Sequence, residues 1–136
     1  MLKIFLSAHG KMASGMLESL RILIGDCPRI TVFDAFIDER SVQETLDAFY
    51  DGVADEDVVV LCSDLYGGSV NQTMYLYLQK ANTYLVAGVN LPFILELAIR
   101  ETLTKEELER MINDSREALR LVELDEPGSM TSEEFF

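Results

Sequence analysis

The chain has 136 residues, 49% of them apolar and 26% charged, a balance that sets aside a disordered protein and leaves room for one compact domain. Eleven Lys and Arg against 24 Asp and Glu give a formal charge of −13, with no basic cluster, so nucleic acid and anionic membrane would meet a repulsive field. Cys27 and Cys62 have neither C-x-x-C spacing nor a companion histidine, which argues against a zinc site, and free thiols fit a reducing cytoplasm. The first apolar run, Leu2 to Ala8, is too short for a signal-peptide core, and no run reaches membrane-spanning length, so a cytoplasmic location without membrane insertion is expected.

That first run reads as a buried strand stopping at His9, the only histidine, after which Gly10 and small residues open a helix. Ala13, Met16, Leu17, Leu20 and Ile24 recur at helical spacing up to Gly25. Pro28 bars continuation, and the β-branched and aromatic stretch Ile30 to Ile37 predicts a second strand. Ser41 and Glu44 have the spacing of a capping box for a helix burying Val42, Leu46, Phe49 and Val53. Val58 to Ser63 is continuously apolar, as expected of a central strand covered on both faces. It empties into Asp64-Leu65-Tyr66-Gly67-Gly68, after which Ser69 to Gln72 has capping-box spacing for a helix reaching Ala81.

Thr83 to Ala87 predicts a fourth strand, and Pro92 the first residue of a helix to about Leu103. Thr104 and Glu107 form a third capping-box pattern before a last amphipathic helix through Leu108, Met111, Ile112 and Ser115. Leu119 to Leu124 alternates imperfectly and is read as a fifth strand in preference to a longer helix. Residues 1–124 then form a single domain, and 125–136 an acidic tail expected to be mobile.

Strand and helix alternate four times, which implies an open, mainly parallel α/β sheet with helices on both faces. In the usual order 2-1-3-4 a crevice opens at the carboxyl ends of strands 1 and 3. His9 and Asp64 would share it. A carboxylate on one imidazole nitrogen decides where the proton sits, leaves the other nitrogen as nucleophile, and offsets the charge that develops during attack. Backbone N–H groups of Gly67, Gly68 and the helix opening at Ser69 would suit phosphoryl oxygens. Together these features favour a phosphohistidine.

Plainer readings stand beside this one. A histidine at a strand end is often only a polar loop residue, and an aspartate before Gly-Gly a turn former. Ser69 has a sufficient role as an N-cap; Ser7 and Ser14 can serve simply by being small. Tyr66 could wall the crevice or pack, Asn90 and Pro92 could be a turn and a helix start, and Met12 and Met16 fit core or crevice lining. Gly10 and Gly15 have P-loop spacing, but Met16-Leu17 stands where Lys-Ser/Thr is required. A receiver-type phosphoaspartate site fails because Ser7-Ala8-His9 replaces the acidic pair after strand 1. Ser69, His9 and Asp64 hold the residue types of a hydrolase triad without a G-x-S-x-G elbow, so hydrolase remains a minor alternative.

Three segments, S-A-H-G-K-M-A-S-G-M (Ser7 to Met16), D-L-Y-G-G-S-V-N (Asp64 to Asn71) and A-G-V-N-L-P (Ala87 to Pro92), occur in the order and spacing of a known family. By them the chain resembles the mannose/fructose-type enzyme IIA component of the bacterial phosphoenolpyruvate-dependent sugar phosphotransferase system (PTS). The resemblance implies that His9 accepts a phosphoryl group on Nε2 from the histidine phosphocarrier protein (HPr) and passes it to an enzyme IIB on a separate chain. It implies that Asp64 orients His9, that Gly10, Gly67, Gly68 and Ser69 line the site, and that Lys11, Met12, Tyr66, Asn90 and Pro92 are further candidates. No cofactor and no metal are expected. The resemblance also implies a homodimer exchanging an antiparallel C-terminal strand, for which Leu119 to Leu124 would serve. Leu65-Tyr66 stands where many members have Thr-Trp, and Val70 where many have proline. A regulatory or dihydroxyacetone-kinase-associated phosphocarrier of the same fold is the alternative within the resemblance.

Overall fold

The computed structural model describes residues 1–125, and the mobile acidic tail expected over 125–136 lies, apart from Asp125, outside them. Four parallel strands, β1 (Leu2–His9), β2 (Ile30–Ala35), β3 (Val58–Ser63) and β4 (Thr83–Ala87), lie in the order β2-β1-β3-β4. Between and after them run α1 (Met12–Ile24), α2 (Val42–Asp51), α3 (Ser69–Tyr75), α4 (Leu91–Ile99) and α5 (Lys105–Glu117). The expected order and the switch point between β1 and β3 are both present.

Period-two alternation divides the strands between two cores. Leu2, Ile4, Leu6 and Ala8 of β1, with Val60 and Cys62 of β3, pack against α1, α4 and α5 through Leu17, Leu20, Phe93, Ile94, Leu97 and Met111. Phe5 of β1, with Val59 and Leu61 of β3, packs on the opposite face against Val42 and Leu46 of α2 and Val70 and Met74 of α3. The uninterrupted apolar run of β3 is therefore two half-patterns, each buried. Cys62 is a fully buried core residue whose thiol burial pushes up beyond any physiological titration, and Cys27 is also buried and unpaired.

Several boundaries depart from the sequence pattern for identifiable reasons. Strand β2 stops at Ala35, short of Ile37, because Phe36 turns into the left-handed region at φ 64°. Helix α4 ends at Ile99, short of Leu103: Arg100 is already extended, and Leu103 lies just before the N-cap of the next helix. Thr104 and Glu107 make a reciprocal capping box at the start of α5. Leu103 before it and Leu108 after it are buried in one cluster, as in a hydrophobic staple. The helix expected to run through Ala81 changes after Tyr75 into a 3-10 turn, Leu76–Gln79.

Ser69 is not the N-cap of α3. Gly68 caps, because Gln72 N–H already bonds the Gly68 carbonyl at 2.9 Å, and Ser69 becomes the first helical residue with its hydroxyl free. Leu119 to Leu124 forms neither strand nor helix within this chain, and Leu119, Leu121 and Leu124 are 88, 83 and 102% exposed. Asn90 caps α4 through Phe93 N–H at 3.0 Å and donates to the Ser115 carbonyl of α5 at 2.8 Å. Pro92 is the second residue of α4, not the first, and is exposed.

The capping assignments can be checked by urea denaturation. Thr104→Ala should cost about 1 kcal/mol and Asn90→Ala about 2 kcal/mol, since it loses a cap and an interhelical bond. Ser69→Ala should cost less than about 0.5 kcal/mol; a loss equal to that of Thr104→Ala would return Ser69 to the cap position.

Candidate functional site

His9 is the last residue of β1 and lies on the sheet face that carries α3. The chain leaves it through Gly10, whose φ of 64° an L side chain rarely adopts and whose N–H bonds the Ala35 carbonyl at 2.9 Å. Asp64 directly follows β3, so parallel pairing of Ser7 with Ser63 delivers both residues to one edge. Asp64 Oδ2 accepts the His9 backbone N–H at 3.0 Å and lies 2.9 Å from His9 Nδ1. Oδ1 is buried without a hydrogen-bond partner among the described residues.

Burial of Asp64 pushes its carboxyl upward, but the hydrogen bonds from the His9 backbone and ring outweigh that and hold it below the usual carboxylate range. An ionised carboxylate only accepts, so Nδ1 must be the donor, and Nε2 carries the lone pair. The geometry thus sets the tautomer. The imidazole remains 41% exposed while the Asp64 side chain is only 10% exposed, so the orienting group is sheltered and the reactive one open.

On the other side of the ring, Ser69 Oγ stands 3.4 Å from Nε2, the outer limit of a hydrogen bond. Such a weak contact leaves the lone pair available. A Cβ at Gly68 would crowd Leu65 Cβ at 3.2 Å and reach His9 Cε1 only at an ordinary 3.8 Å. Gln72 donates its side-chain amide to the Gly67 carbonyl at 3.0 Å, and Ser63 its hydroxyl to Asn71, which ties the loop to its helix. Of the sequence candidates, His9, Asp64, Gly68 and Ser69 converge; Gly10 and Gly67 shape the approaching loops.

The remaining candidates lie at the rim or away from it. Lys11 is the exposed N-cap of α1 and Met12 its half-exposed first residue, both following His9 in the chain. Tyr66 projects into solvent and lines an open cleft of about 530 Å³ with Asn71, Tyr75, Ile112 and Arg116, not the His9 pocket. Asn90 and Pro92 have the structural places given above. No cluster of three metal-ligating side chains occurs among the described residues.

Two neighbours of the site were not legible as such. Phe36 stacks on His9 with ring centroids 5.1 Å apart and planes 23° from parallel. Asp34 accepts the Ser14 N–H at 2.9 Å and its hydroxyl at 2.6 Å, closing the first turn of α1 where Lys11 supplies no side-chain cap. A capping carboxylate borrowed from another strand leaves no local spacing signal.

The lowered carboxyl of Asp64 has a definite acid-side consequence. A group depressed on folding stabilises above its unfolded value, near 3.9, and loses that contribution as pH falls through its folded value. The stability difference between the parent and Asp64→Asn should be present at pH 5 and fade below about pH 4 in urea titrations; a difference that grew on acidification would reverse the assignment.

The same fold recurs in the mannose/sorbose specific IIA subunit of the phosphotransferase system from Enterococcus faecalis, with a TM-score of 0.77, 23% identity, and coverage of 91% of this chain and 96% of that one. A PTS IIA protein associated with the fucose utilization operon of Streptococcus pneumoniae aligns at TM-score 0.75 and 22% identity over 88% of this chain and 92% of that one. A sigma-54 interaction domain protein from Enterococcus faecalis aligns at 0.61 and 19% over 86% and 91%. No curated protein sequence is significantly similar. Residues 3–116 match the family model described as PTS system fructose IIA component, EIIA-man, and the chain therefore belongs to the mannose/fructose-type enzyme IIA family of the phosphotransferase system.

Proposed function

We propose that this phosphotransferase-system component is a phosphocarrier that takes a phosphoryl group on His9 Nε2 from HPr and passes it to an enzyme IIB during sugar uptake. The observation that carries the reading is the 2.9 Å contact between Asp64 and Nδ1, which leaves Nε2 as the free nucleophilic nitrogen. In the forward step the Nε2 lone pair attacks phosphorus while the donor's phosphorus–nitrogen bond breaks and its electron pair returns to the donor. The receiving ring becomes cationic with its Nδ1 proton retained, and Asp64 offsets that charge. Ser69 and the backbone N–H groups of the α3 opening are the groups we assign to the phosphoryl oxygens.

Reversible transfer requires that the phosphorylated state not be held too tightly. Lys11 is the sole cationic residue in the sequence motifs around His9 and Asp64, so the partners are the expected source of further positive charge. We also propose a homodimer in which Leu119 to Leu124 adds to a partner's sheet, supported by the exposed leucines and by β4 lying at a sheet edge. A cytoplasmic location accords with the free buried thiols; among the described residues no helix is long and apolar enough to cross a membrane.

Two other readings have a specific observation behind them. Likeness to a sigma-54 interaction domain protein favours a regulatory phosphocarrier, which would take the label without passing it to an enzyme IIB. The alignment Ser69–His9–Asp64 favours a hydrolase, which would place an acyl group on Ser69 instead.

Incubation with phosphoenolpyruvate, enzyme I and HPr should add a single acid-labile phosphate to the intact mass of the parent and none to a folded His9→Ala. Retained labelling of His9→Ala would remove His9 from the role. Asp64→Asn should slow transfer by about 10-fold or more, since a charge-assisted bond to the reacting ring is lost; an unchanged rate would make Asp64 a turn former only. Truncation after Ala118 should convert a dimer to a monomer in sedimentation, and a dimer that survived it would exclude strand exchange as the basis of assembly.

A further inference from the structure

Phe36 sits in an unfavourable backbone state that its own packing does not explain. At φ 64° it is a bulky non-glycine residue in the left-handed region, where the side chain crowds the backbone. Asn82, the other such residue, has a short amide that tolerates the conformation; Phe36 has no polar group to compensate. Nor is the strain repaid by core burial, because the side chain is 64% exposed. Strain retained at an exposed aromatic calls for a local reason.

The geometry supplies one. Along β2, Phe33 and Ala35 belong to the core beneath α2 and α3, whereas Asp34 reaches Ser14 of α1 on the opposite face. Continued extension would send residue 36 to the α1 face as well, away from His9. The left-handed turn reverses that direction and stacks the ring on the imidazole, at 5.1 Å between centroids.

We propose that Phe36 is a positioning residue for transfer at His9, an inference that rests on the phosphocarrier reading. With Asp64 gripping Nδ1 at one edge, the Phe36 ring covers one face of the imidazole and fixes its plane, so that Nε2 is presented along one direction. As the Nε2–phosphorus bond forms and the ring becomes cationic, the aromatic face adds to the stabilisation that Asp64 supplies at the edge. The two groups act on the same charge from perpendicular directions.

The test is single-turnover phosphoryl uptake from phosphorylated HPr at increasing donor concentration, for the full chain and for Phe36→Leu, Phe36→Tyr and Phe36→Gly. Phe36→Leu should lower the limiting rate by about 3- to 10-fold with little change in the half-saturating donor concentration. Phe36→Tyr should stay within about twofold of the parent. Phe36→Gly should lose rate like the leucine variant while melting at a higher temperature, because the strain is relieved.

With one histidine in the sequence, the His9 ring protons give isolated NMR signals, which should move on Phe36→Leu and stay near the parent's on Phe36→Tyr. A limiting rate unchanged in Phe36→Leu would overturn the inference. So would a change confined to the half-saturating concentration, which would make Phe36 a donor contact. Absence of label on the parent with an active donor would instead overturn the phosphocarrier reading itself.

Discussion

One carboxylate oxygen organises the site. Asp64 Oδ2 receives both the backbone N–H of His9 and the ring nitrogen Nδ1, so a single acceptor fixes where the chain ends its strand and which ring nitrogen holds the proton. Neither bond would exist without the parallel register of β1 and β3, which places Ser7 opposite Ser63 and thereby brings the following residues to one edge. Buried hydrogen-bonded charge is costly to disrupt and geometrically exacting. Here both properties serve to orient an otherwise open imidazole.

The surrounding structure spends its regular stabilising devices away from this point. Two separate cores hold the sheet from both faces, and α4 and α5 are closed by Asn90 and by the Thr104–Glu107 box. Around His9 the local rules are relaxed: α3 starts without a side-chain cap, α1 borrows its carboxylate from β2, and Phe36 holds a strained backbone. Such departures cluster where reactive geometry takes precedence over local preference. Because Gly68 and not Ser69 ends the loop, the Ser69 hydroxyl faces His9 instead of its own helix.

Beyond the packed domain, hydrophobic side chains continue after α5. Leu119, Leu121 and Leu124 follow α5 without burying their surface in this copy of the chain. An exposed apolar segment and a strand with a free edge are each features that soluble proteins generally cover. The homodimer proposed above would cover both at once, on the free side of β4, away from β1 and β3.

By itself the sequence determined the four strands, their order and the helices between them, but not every boundary. The short apolar runs of β1 and β3, the helical spacing of α1 and α5, and the turn residues between them leave few topologies, since parallel crossovers are right-handed and switch-point crevices follow from strand order. His9 and Asp64 were legible because each directly follows an apolar run, so their meeting needs only topology. What the tertiary structure decided are contacts that depend on one residue of register or one backbone angle. Whether Ser69 caps α3 or faces His9 turns on which carbonyl first accepts a helical bond, and Gly68 takes that place. Whether Phe36 joins its strand or covers the imidazole turns on the sign of its φ, which no periodicity encodes. Tyr66 and Asn90 carry family motifs yet point elsewhere, because a motif's spacing fixes the path of a loop and packing alone decides where each side chain goes.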